Sequence, residues 1–330
     1  MLKDILIKRL VRTSSTICIN KSRCLRIRFN KNECNRCAGI CPSGSITLDA
    51  GSVELKSSEC SECMLCVSEC PSSCFEIDSI DFFEVLTKLS DLPSPVLGCN
   101  QKPALKTNVR TPCLGFLSEE HLISLSFLIK KPLQINLTEC KKCKNGFIVN
   151  SLTKRLENLK NNITGSISEK IRLVENKTDL DYRERVYSRR DLFKGIGVYS
   201  ARETTSLFKN SGSDDITQAY SDKVVPFKKT LLNKTLSVLS GDLKKRMLEN
   251  YYYDLHIDGN CNGCSACVGI CPTGALISDN RETSQRLLFI SARCSGCGLC
   301  AGFCRVNAVE IKTGFMGDDP FKLTPGSFSF

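Results

Sequence analysis

The chain contains 330 residues with 22 cysteines, two histidines and no tryptophan, and its formal net charge is +11. A chain of this length suggests two or three domains, each large enough to bury a core of its own without covalent cross-links. The cysteines cluster at two-residue spacings and we expect no secretory signal, which excludes a disulfide framework and favours metal sites in a reducing, cytoplasmic compartment. No transmembrane segment is expected, because the longest charge-free run (259–278) consists of metal-loop residues, mainly Cys, Gly, Ser and Pro.

The N-terminal segment, residues 1–21, is basic and amphipathic. The first 31 residues carry nine basic side chains against one acid, Asp4. Apolar residues from Leu2 to Leu10 share one helical face, which predicts a helix or arm that packs on the following domain. A peripheral contact with a membrane surface and an organellar transit peptide are the alternatives.

Residues 22–80 contain two cysteine motifs, and we interpret them as a module with two [4Fe–4S] clusters. The second motif is complete (Cys-x2-Cys-x2-Cys-x3-Cys-Pro), whereas Lys31 replaces the leading cysteine of the first. In such motifs three closely spaced thiolates bind one cluster and the fourth cysteine binds the other. This rule predicts one ligand set of Cys60, Cys63, Cys66 and Cys41, and a second set of Cys34, Cys37 and Cys70 completed by Cys24.

The ligand that completes the second set has alternatives. Cys18 is the next choice after Cys24, and a three-cysteine site with a [3Fe–4S] cluster is also open. Cys74 follows the last motif cysteine and is predicted to be a buried thiol without a ligand role.

Residues 81–150 read as a small α/β segment with a separate four-cysteine site. A helical pattern spans 114–130 and a strand pattern spans 133–137. Cysteines follow the predicted strands, and four thiolates suit either zinc or a [2Fe–2S] cluster. The predicted metal ligands are Cys99, Cys113, Cys140 and Cys143, with four ordinary reduced cysteines as the alternative.

Residues 151–253 lack cysteine and predict a mostly helical connector. Leucines and isoleucines between 152 and 167 follow helical spacing, a polar stretch at 210–215 predicts a loop, and a second helical run lies near 243–255. The sequence Ser-Arg-Arg-Asp-Leu-Phe-Lys at 188–194 resembles a twin-arginine export motif. It lies mid-chain without a long apolar segment, so we do not interpret it as a signal.

Residues 254–330 contain two full motifs and predict a second dicluster module. Zinc usually takes two separate Cys-x2-Cys pairs, so this spacing does not suit it. Arg305 replaces the proline that usually follows the motif, which puts only the local turn in doubt. The predicted ligand sets are Cys261, Cys264, Cys267 and Cys304 for one cluster, and Cys294, Cys297, Cys300 and Cys271 for the other.

These motifs resemble the bacterial dicluster ferredoxin family, down to Cys-Pro-Thr-Gly-Ala-Leu at 271–276. The resemblance implies short hairpins and helices around two cubane clusters, and electron transfer as the function. Because the motif pair occurs twice, the chain is similar to a polyferredoxin. The middle segment is similar, through Pro-Cys-Leu-Gly at 112–115 and Cys-x2-Cys at 140–143, to the small iron–sulfur subunit of methyl-viologen-reducing hydrogenases.

Together the patterns predict an α+β protein in which two ferredoxin-like dicluster modules flank the α/β segment and the connector. The sequence contains no recognisable catalytic motif, and four-cysteine ligation leaves no open position for a substrate. We therefore predict an electron carrier that exchanges single electrons with redox-partner proteins or oxidoreductase subunits, rather than an enzyme. A redox-driven accessory factor for a metalloenzyme is the alternative. Nucleic acid is not expected as a partner, because four clusters would reduce the net charge to about +3.

Overall fold

A computed structural model describes residues 17–49, 51–77, 80–184, 223–279 and 286–329. Three sequence predictions lie outside these ranges: most of the basic N-terminal helix (1–16), the twin-arginine-like motif (188–194) and the polar loop (210–215). Among the described helices, none has the length and apolarity needed to cross a membrane.

The described elements are short helices and strands, in agreement with the predicted α+β class. The α-helices are α1 (Leu25–Arg28), α2 (Arg36–Gly39), α3 (Leu65–Glu69), α4 (Phe82–Ser90), α5 (Glu119–Leu128), α6 (Ile148–Asn162), α7 (Ile167–Lys170), α8 (Phe227–Leu236), α9 (Gly241–Tyr251), α10 (Ala266–Ile270) and α11 (Leu299–Phe303). The strands are β1 (Ile17–Ile19), β2 (Ile46–Asp49), β3 (Ser52–Leu55), β4 (Phe75–Ile77), β5 (Val96–Cys99), β6 (Val109–Thr111), β7 (Leu133–Asn136), β8 (Ile171–Val174), β9 (Tyr253–Asp258), β10 (Leu276–Asp279), β11 (Arg286–Phe289), β12 (Val309–Thr313), β13 (Thr324–Pro325) and β14 (Ser327–Ser329).

The two cysteine-rich regions use the same order of elements. In the first, β1 pairs with β4 and β2 pairs with β3, both antiparallel, with α2 and α3 between the strands. In the second, β9 pairs with β12 and β10 pairs with β11, again antiparallel, with α10 and α11 between them. The helices are only one turn long because each begins within a cysteine loop and ends at the next motif cysteine or just before it.

The middle segment is a parallel sheet with strand order β6–β5–β7–β8. Its two central strands, β5 and β7, are buried along their length, which is typical of a parallel sheet covered on both faces. The edge strands β6 and β8 each carry an exposed arginine, Arg110 and Arg172. The predicted helix within 114–130 and the predicted strand at 133–137 are observed as α5 and β7. The sheet also extends past the predicted segment boundary at residue 150, because β8 pairs with β7.

The connector packs against this sheet rather than standing apart from it. The leucines of α6 that follow helical spacing, Leu152, Leu156 and Leu159, are all buried. They join a continuous core that also includes the first cysteine module, the sheet, α8 and α9. A second core lies within the C-terminal module.

Candidate iron–sulfur centres

The cysteine loops share left-handed backbone positions that aim their thiols inward. In the three complete motifs, residues with positive φ stand before and after the second cysteine: Glu62 and Met64, Gly263 and Ser265, Gly296 and Gly298. Left-handed conformations cost side-chain-bearing residues about 1–2 kcal/mol each, so their repetition indicates a required loop shape. The irregular first motif is different, since Asn35 has a φ of −127°.

A second left-handed position follows the fourth cysteine of every motif. It is the third residue after that cysteine in each case, namely Gly44, Ser73, Gly274 and Asn307. The last of these belongs to the motif in which Arg305 replaces proline. The turn there therefore has the same left-handed position as the other three.

Backbone N–H groups point at several of the sulfur atoms. Gly296 donates to Cys294 Sγ at 3.4 Å, and Ala308 donates to Cys304 Sγ at 3.3 Å. In the first module, Cys74 N donates to Cys70 Sγ at 3.1 Å. Such donors stabilise thiolate charge and are among the groups that set the potential of an iron–sulfur cluster.

In the C-terminal module the thiols influence one another across the two motifs. Burial, with a contribution from the charge of Cys271, raises the pKa of Cys294 to about 12 and that of Cys297 to about 11. Burial also raises the pKa of Cys300, again with a contribution from the charge of Cys271. Cys271 is therefore near enough to act on all three cysteines of the other motif, and their shared ligand role stays a prediction.

Three of the remaining C-terminal cysteines belong to one loop. Burial raises the pKa of Cys267 to about 11, with contributions from the charges of Cys261 and Cys264. Cys304 packs against the module core, as do cysteines of both predicted sets, so its place in this set stays a prediction. Cys264 is exposed, whereas the ligands of the neighbouring set are buried or half-buried.

A cavity in the first module brings together the irregular ligand set. It encloses about 320 Å³ of atom-free space, part of it open to solvent. The cysteines that line it are Cys24, Cys34, Cys37, Cys70 and Cys74. Burial raises the pKa of Cys37 to about 12, with further contributions from the charges of Cys70 and Cys24.

The same cavity bears on the choice of the fourth ligand. The cavity lining includes Cys24, which ends the 3₁₀ turn Lys21–Arg23, whereas Cys18 is exposed on β1 and pairs with Glu76. Cys74 is a buried fifth thiol. A hydrogen bond with Cys74 lowers the pKa of Cys24 to about 6 and raises that of Cys74.

A second cavity, with about 270 Å³ of atom-free space, holds the other predicted set of the first module. Its cysteines are Cys41, Cys60, Cys63 and Cys66. Burial raises the pKa of Cys41, but hydrogen bonds from the hydroxyls of Ser45 and Ser43, at 3.4 and 3.5 Å, lower it below its ordinary value. Burial raises the pKa of Cys66, and the charge of Cys63 adds to the shift.

The middle cysteines lie at the carboxyl ends of adjacent parallel strands. Cys99 ends β5, Cys113 follows β6, and Cys140 and Cys143 follow β7. Ligands bind at such an edge in open α/β sheets, where the strand order reverses. Burial raises the pKa of Cys113 and of Cys140 to about 12, and the charge of Cys99 contributes to both shifts. Within the described ranges, no three His, Cys, Asp or Glu side chains have the arrangement that holds a single metal ion.

The middle site directly contacts the loop of the second cavity. A Cβ added to Gly115 would lie well inside 3.0 Å of the Cys63 carbonyl oxygen, so the two backbones touch. Asn145 is buried between the sites, and its amide donates to Cys113 Sγ at 3.6 Å and to the Ser61 carbonyl at 3.0 Å. The sequence analysis did not identify Asn145, because nothing in its local pattern marks it.

Arg155 makes a second connection between the middle site and the first cysteine module. Its guanidinium is largely buried and donates to the carbonyls of Gly115 and Leu117 from one nitrogen and to Ser68 and Glu69 from the other. A buried planar cation with four acceptors fixes both partners in one geometry. Arg155 lies on α6 among the leucines, and the sequence analysis did not identify it.

Lys229 is a second cation that the sequence analysis did not identify. It is 4% exposed, and its Nζ lies 3.6 Å from the ring centroid of Tyr252 and donates to the Tyr251 carbonyl at 3.0 Å. Burial lowers its pKa to about 7, against the opposing charges of Cys294 and Glu120. Negative charge at the Cys294 loop therefore favours the ammonium form.

His121 is a core residue. It is buried against the rings of Phe82, Phe116 and Phe227, and its Nδ1 lies 2.8 Å from Ser118 Oγ. Burial lowers its pKa to about 3, so the imidazole is neutral.

Comparison with known families identifies part of the chain. Residues 260–308 match the family model described as a 4Fe-4S dicluster domain. The matched segment contains all eight C-terminal motif cysteines, from Cys261 to Cys304. The matched segment is ferredoxin-like. No curated protein and no solved structure matches the chain. The match and the many cysteines support an iron–sulfur protein that transfers electrons.

Proposed function

We propose that the chain is a polyferredoxin that binds four [4Fe–4S] clusters and relays single electrons to or from a partner oxidoreductase. The observation that carries the proposal is that two cavities of the first module are each lined by thiols from both of its motifs. Cys70 lies with Cys24, Cys34 and Cys37 in one cavity, and Cys41 lies with Cys60, Cys63 and Cys66 in the other. The match to a dicluster domain over residues 260–308 supports two of the clusters directly.

The residues around each group fit a cluster. When bound, [4Fe–4S] clusters supply one-electron oxidation and reduction, and four cysteine ligands leave no open position for substrate. The chain holds each ligand set on loops with left-handed turns and directs N–H groups to sulfur. It buries most of the thiols, which excludes water. Differences in these groups set different potentials at the four sites.

Two of the sites have additional polar groups that distinguish them. The hydroxyls of Ser43 and Ser45 stabilise negative charge on Cys41. Lys229 places an ammonium near Cys294, which favours the more negative, reduced state of that site. We expect both sites to have higher reduction potentials than they would have without these groups.

We also propose that Cys99, Cys113, Cys140 and Cys143 bind a metal, either zinc or a [2Fe–2S] cluster. Their position at one sheet edge supports a bound group. Cys99, Cys113 and Cys140 are buried and Cys143 is half-buried. The raised pKa values of Cys113 and Cys140 disfavour their thiolates, which a bound cation would stabilise. The proposed partners remain redox proteins or oxidoreductase subunits, in a reducing, cytoplasmic compartment.

The test is the metal and sulfide content of anaerobically purified protein, with EPR before and after dithionite. We expect about sixteen iron from four cubanes, plus about one zinc or about two further iron at the middle site. Cys264→Ala should remove about four iron, whereas Cys18→Ser, a matched cysteine outside the proposed sets, should remove none. Little iron with several zinc ions would contradict the proposal and indicate a zinc-stabilised binding protein.

A further inference from the structure

We propose that the two dicluster modules form one continuous relay, joined at a single junction between the Cys24/Cys34/Cys37/Cys70 site and the Cys271/Cys294/Cys297/Cys300 site. The inference rests on the proposed function, since it needs clusters at both sites. Each transfer oxidises one site and reduces the other by one electron, supplied or removed by a redox-partner protein, and no bond forms or breaks.

The N-terminal side of the junction consists of residues next to the ligands of the first cavity. Leu25 directly follows Cys24 and lines that cavity, yet it is buried in the core of the C-terminal module. Cys34 and Phe29 pack against the same core. The other thiols of the first cavity lie in the larger core, together with those of the second cavity. The side of the first cavity that carries Leu25 and Cys34 therefore faces the C-terminal module.

An aromatic contact fixes this docking. The rings of Phe29 and Phe303 meet edge to face with their centroids 5.0 Å apart. Phe303 ends α11, the helix that carries Cys300 of the Cys271 site, and it directly precedes Cys304, a predicted ligand of the neighbouring site. Such pairs contribute about 0.5–1.5 kcal/mol beyond the area that they bury.

The C-terminal side of the junction is the loop between Cys294 and Cys297. A Cβ added to Gly296 would lie well inside 3.0 Å of the Tyr253 ring, so this ring packs directly on the loop. Arg36 lines the first cavity and is near enough for its charge to act on the Tyr253 phenol. Burial and the charge of Cys294 raise the pKa of Tyr253 to about 12, and Arg36 opposes this rise. Arg36, Tyr253 and Gly296 thus connect one ligand loop to the other.

The fourth ligand of this site is held at the same junction. The Lys223 ammonium donates to the Cys271 carbonyl at 2.7 Å and to the Val268 carbonyl at 3.1 Å. Lys223 belongs to the connector and precedes α8, so a connector residue holds the loop that ends at Cys271.

These contacts give the sites a linear order. The middle four-cysteine site adjoins the Cys41/Cys60/Cys63/Cys66 site, the Cys24 site of the same module follows, and the junction leads to the Cys271 site. The Cys261/Cys264/Cys267/Cys304 site is the far end, and its exposed Cys264 is suited to exchange electrons with a partner protein. Order matters because electron transfer between clusters slows steeply with distance.

The test compares Cys297→Ala with Cys264→Ala in the full chain. Both remove the second cysteine of a Cys-x2-Cys-x2-Cys loop, so each should cost about four iron, but from different sites. In dithionite-reduced samples, EPR measures the spin relaxation of the Cys24/Cys34/Cys37/Cys70 cluster, assigned as the signal that is lost in Cys37→Ala. A neighbouring paramagnetic cluster speeds this relaxation.

The proposal expects relaxation to slow in Cys297→Ala and to stay unchanged in Cys264→Ala. The reverse pattern, or no change in either variant, overturns it. If Cys297→Ala loses all C-terminal iron, the deciding variant is Phe29→Asp, which removes the contact with Phe303. Phe321→Asp, a change at an exposed phenylalanine, is its control. At full iron content, slower relaxation only in Phe29→Asp supports the junction, and unchanged relaxation overturns it. Low iron in the wild-type chain would reject the proposed function itself.

Discussion

Two glycines in one cysteine loop allow a sharp test of the packing at the module junction. Gly296 and Gly298 both have positive φ, 64° and 71°, so alanine at either position costs about 1–2 kcal/mol for the left-handed conformation. Only Gly296 is crowded by Tyr253; among the described atoms, none lies within 4 Å of a Cβ added to Gly298. Overpacking costs about 1–3 kcal/mol more. Gly296→Ala should therefore be the less stable variant by about 1–3 kcal/mol.

The assay is the thermal midpoint for loss of visible cluster absorbance, recorded anaerobically at one scan rate because unfolding that releases clusters is irreversible. The expected difference between the two variants is about 2 to 10 °C, with Gly296→Ala lower. Tyr253→Leu should reduce this difference, since the coupling energy of residues in contact disappears with one partner. Equal midpoints for the two alanine variants would refute the contact between the ring and the loop.

Three further predictions follow from the sites and the core. Cys24→Ser should lower the iron content, by about one iron for a [3Fe–4S] product or about four for complete loss, whereas Cys74→Ser should retain all iron; equal losses would contradict the ligand set. Gly115→Ala should deplete iron from the adjoining cluster and lower the thermal midpoint, because the clash is with backbone, while Gly39→Ala should resemble wild type. The folded-state pKa of His121, about 3, is below its ordinary value of 6.5, so the neutral side chain stabilises the fold above pH 6.5 and this stabilisation is lost as pH falls toward 3. Between pH 7 and 5 we expect the free energy of unfolding to fall by about 2 kcal/mol in the wild type and not in His121→Gln. The measurement is the pH dependence of the thermal midpoint.

The cysteine spacing alone predicted the local chemistry of the motifs. A Cys-x2-Cys-x2-Cys run constrains the backbone within a few residues, so the loop shape and the type of cofactor follow from the sequence itself. The left-handed residues at Gly263 and Gly296 and the short helices agree with that expectation. The strand and helix of the middle segment were also predictable, because apolar periodicity is a local signal.

The positions that depend on distant segments were not predictable in this way. The sequence left Cys24 and Cys18 as alternatives, and the structure places Cys24 in the cavity lining together with Cys70. Similarly, β8 joins the sheet from beyond the predicted boundary at residue 150, where a helical connector was expected to begin. Both results depend on pairings between residues far apart in the chain, which local patterns do not encode.

The sequence by itself determined that the chain carries cysteine motifs of iron–sulfur type. It also determined that these motifs occur in two separate regions of the chain. Only the tertiary structure decided how these regions meet. Arg155, Asn145 and Tyr253 each join segments that are far apart in sequence, and each looks ordinary among its sequence neighbours. A buried polar or aromatic contact of this kind is specified by the packing of two surfaces, and that packing exists only once the whole chain has folded.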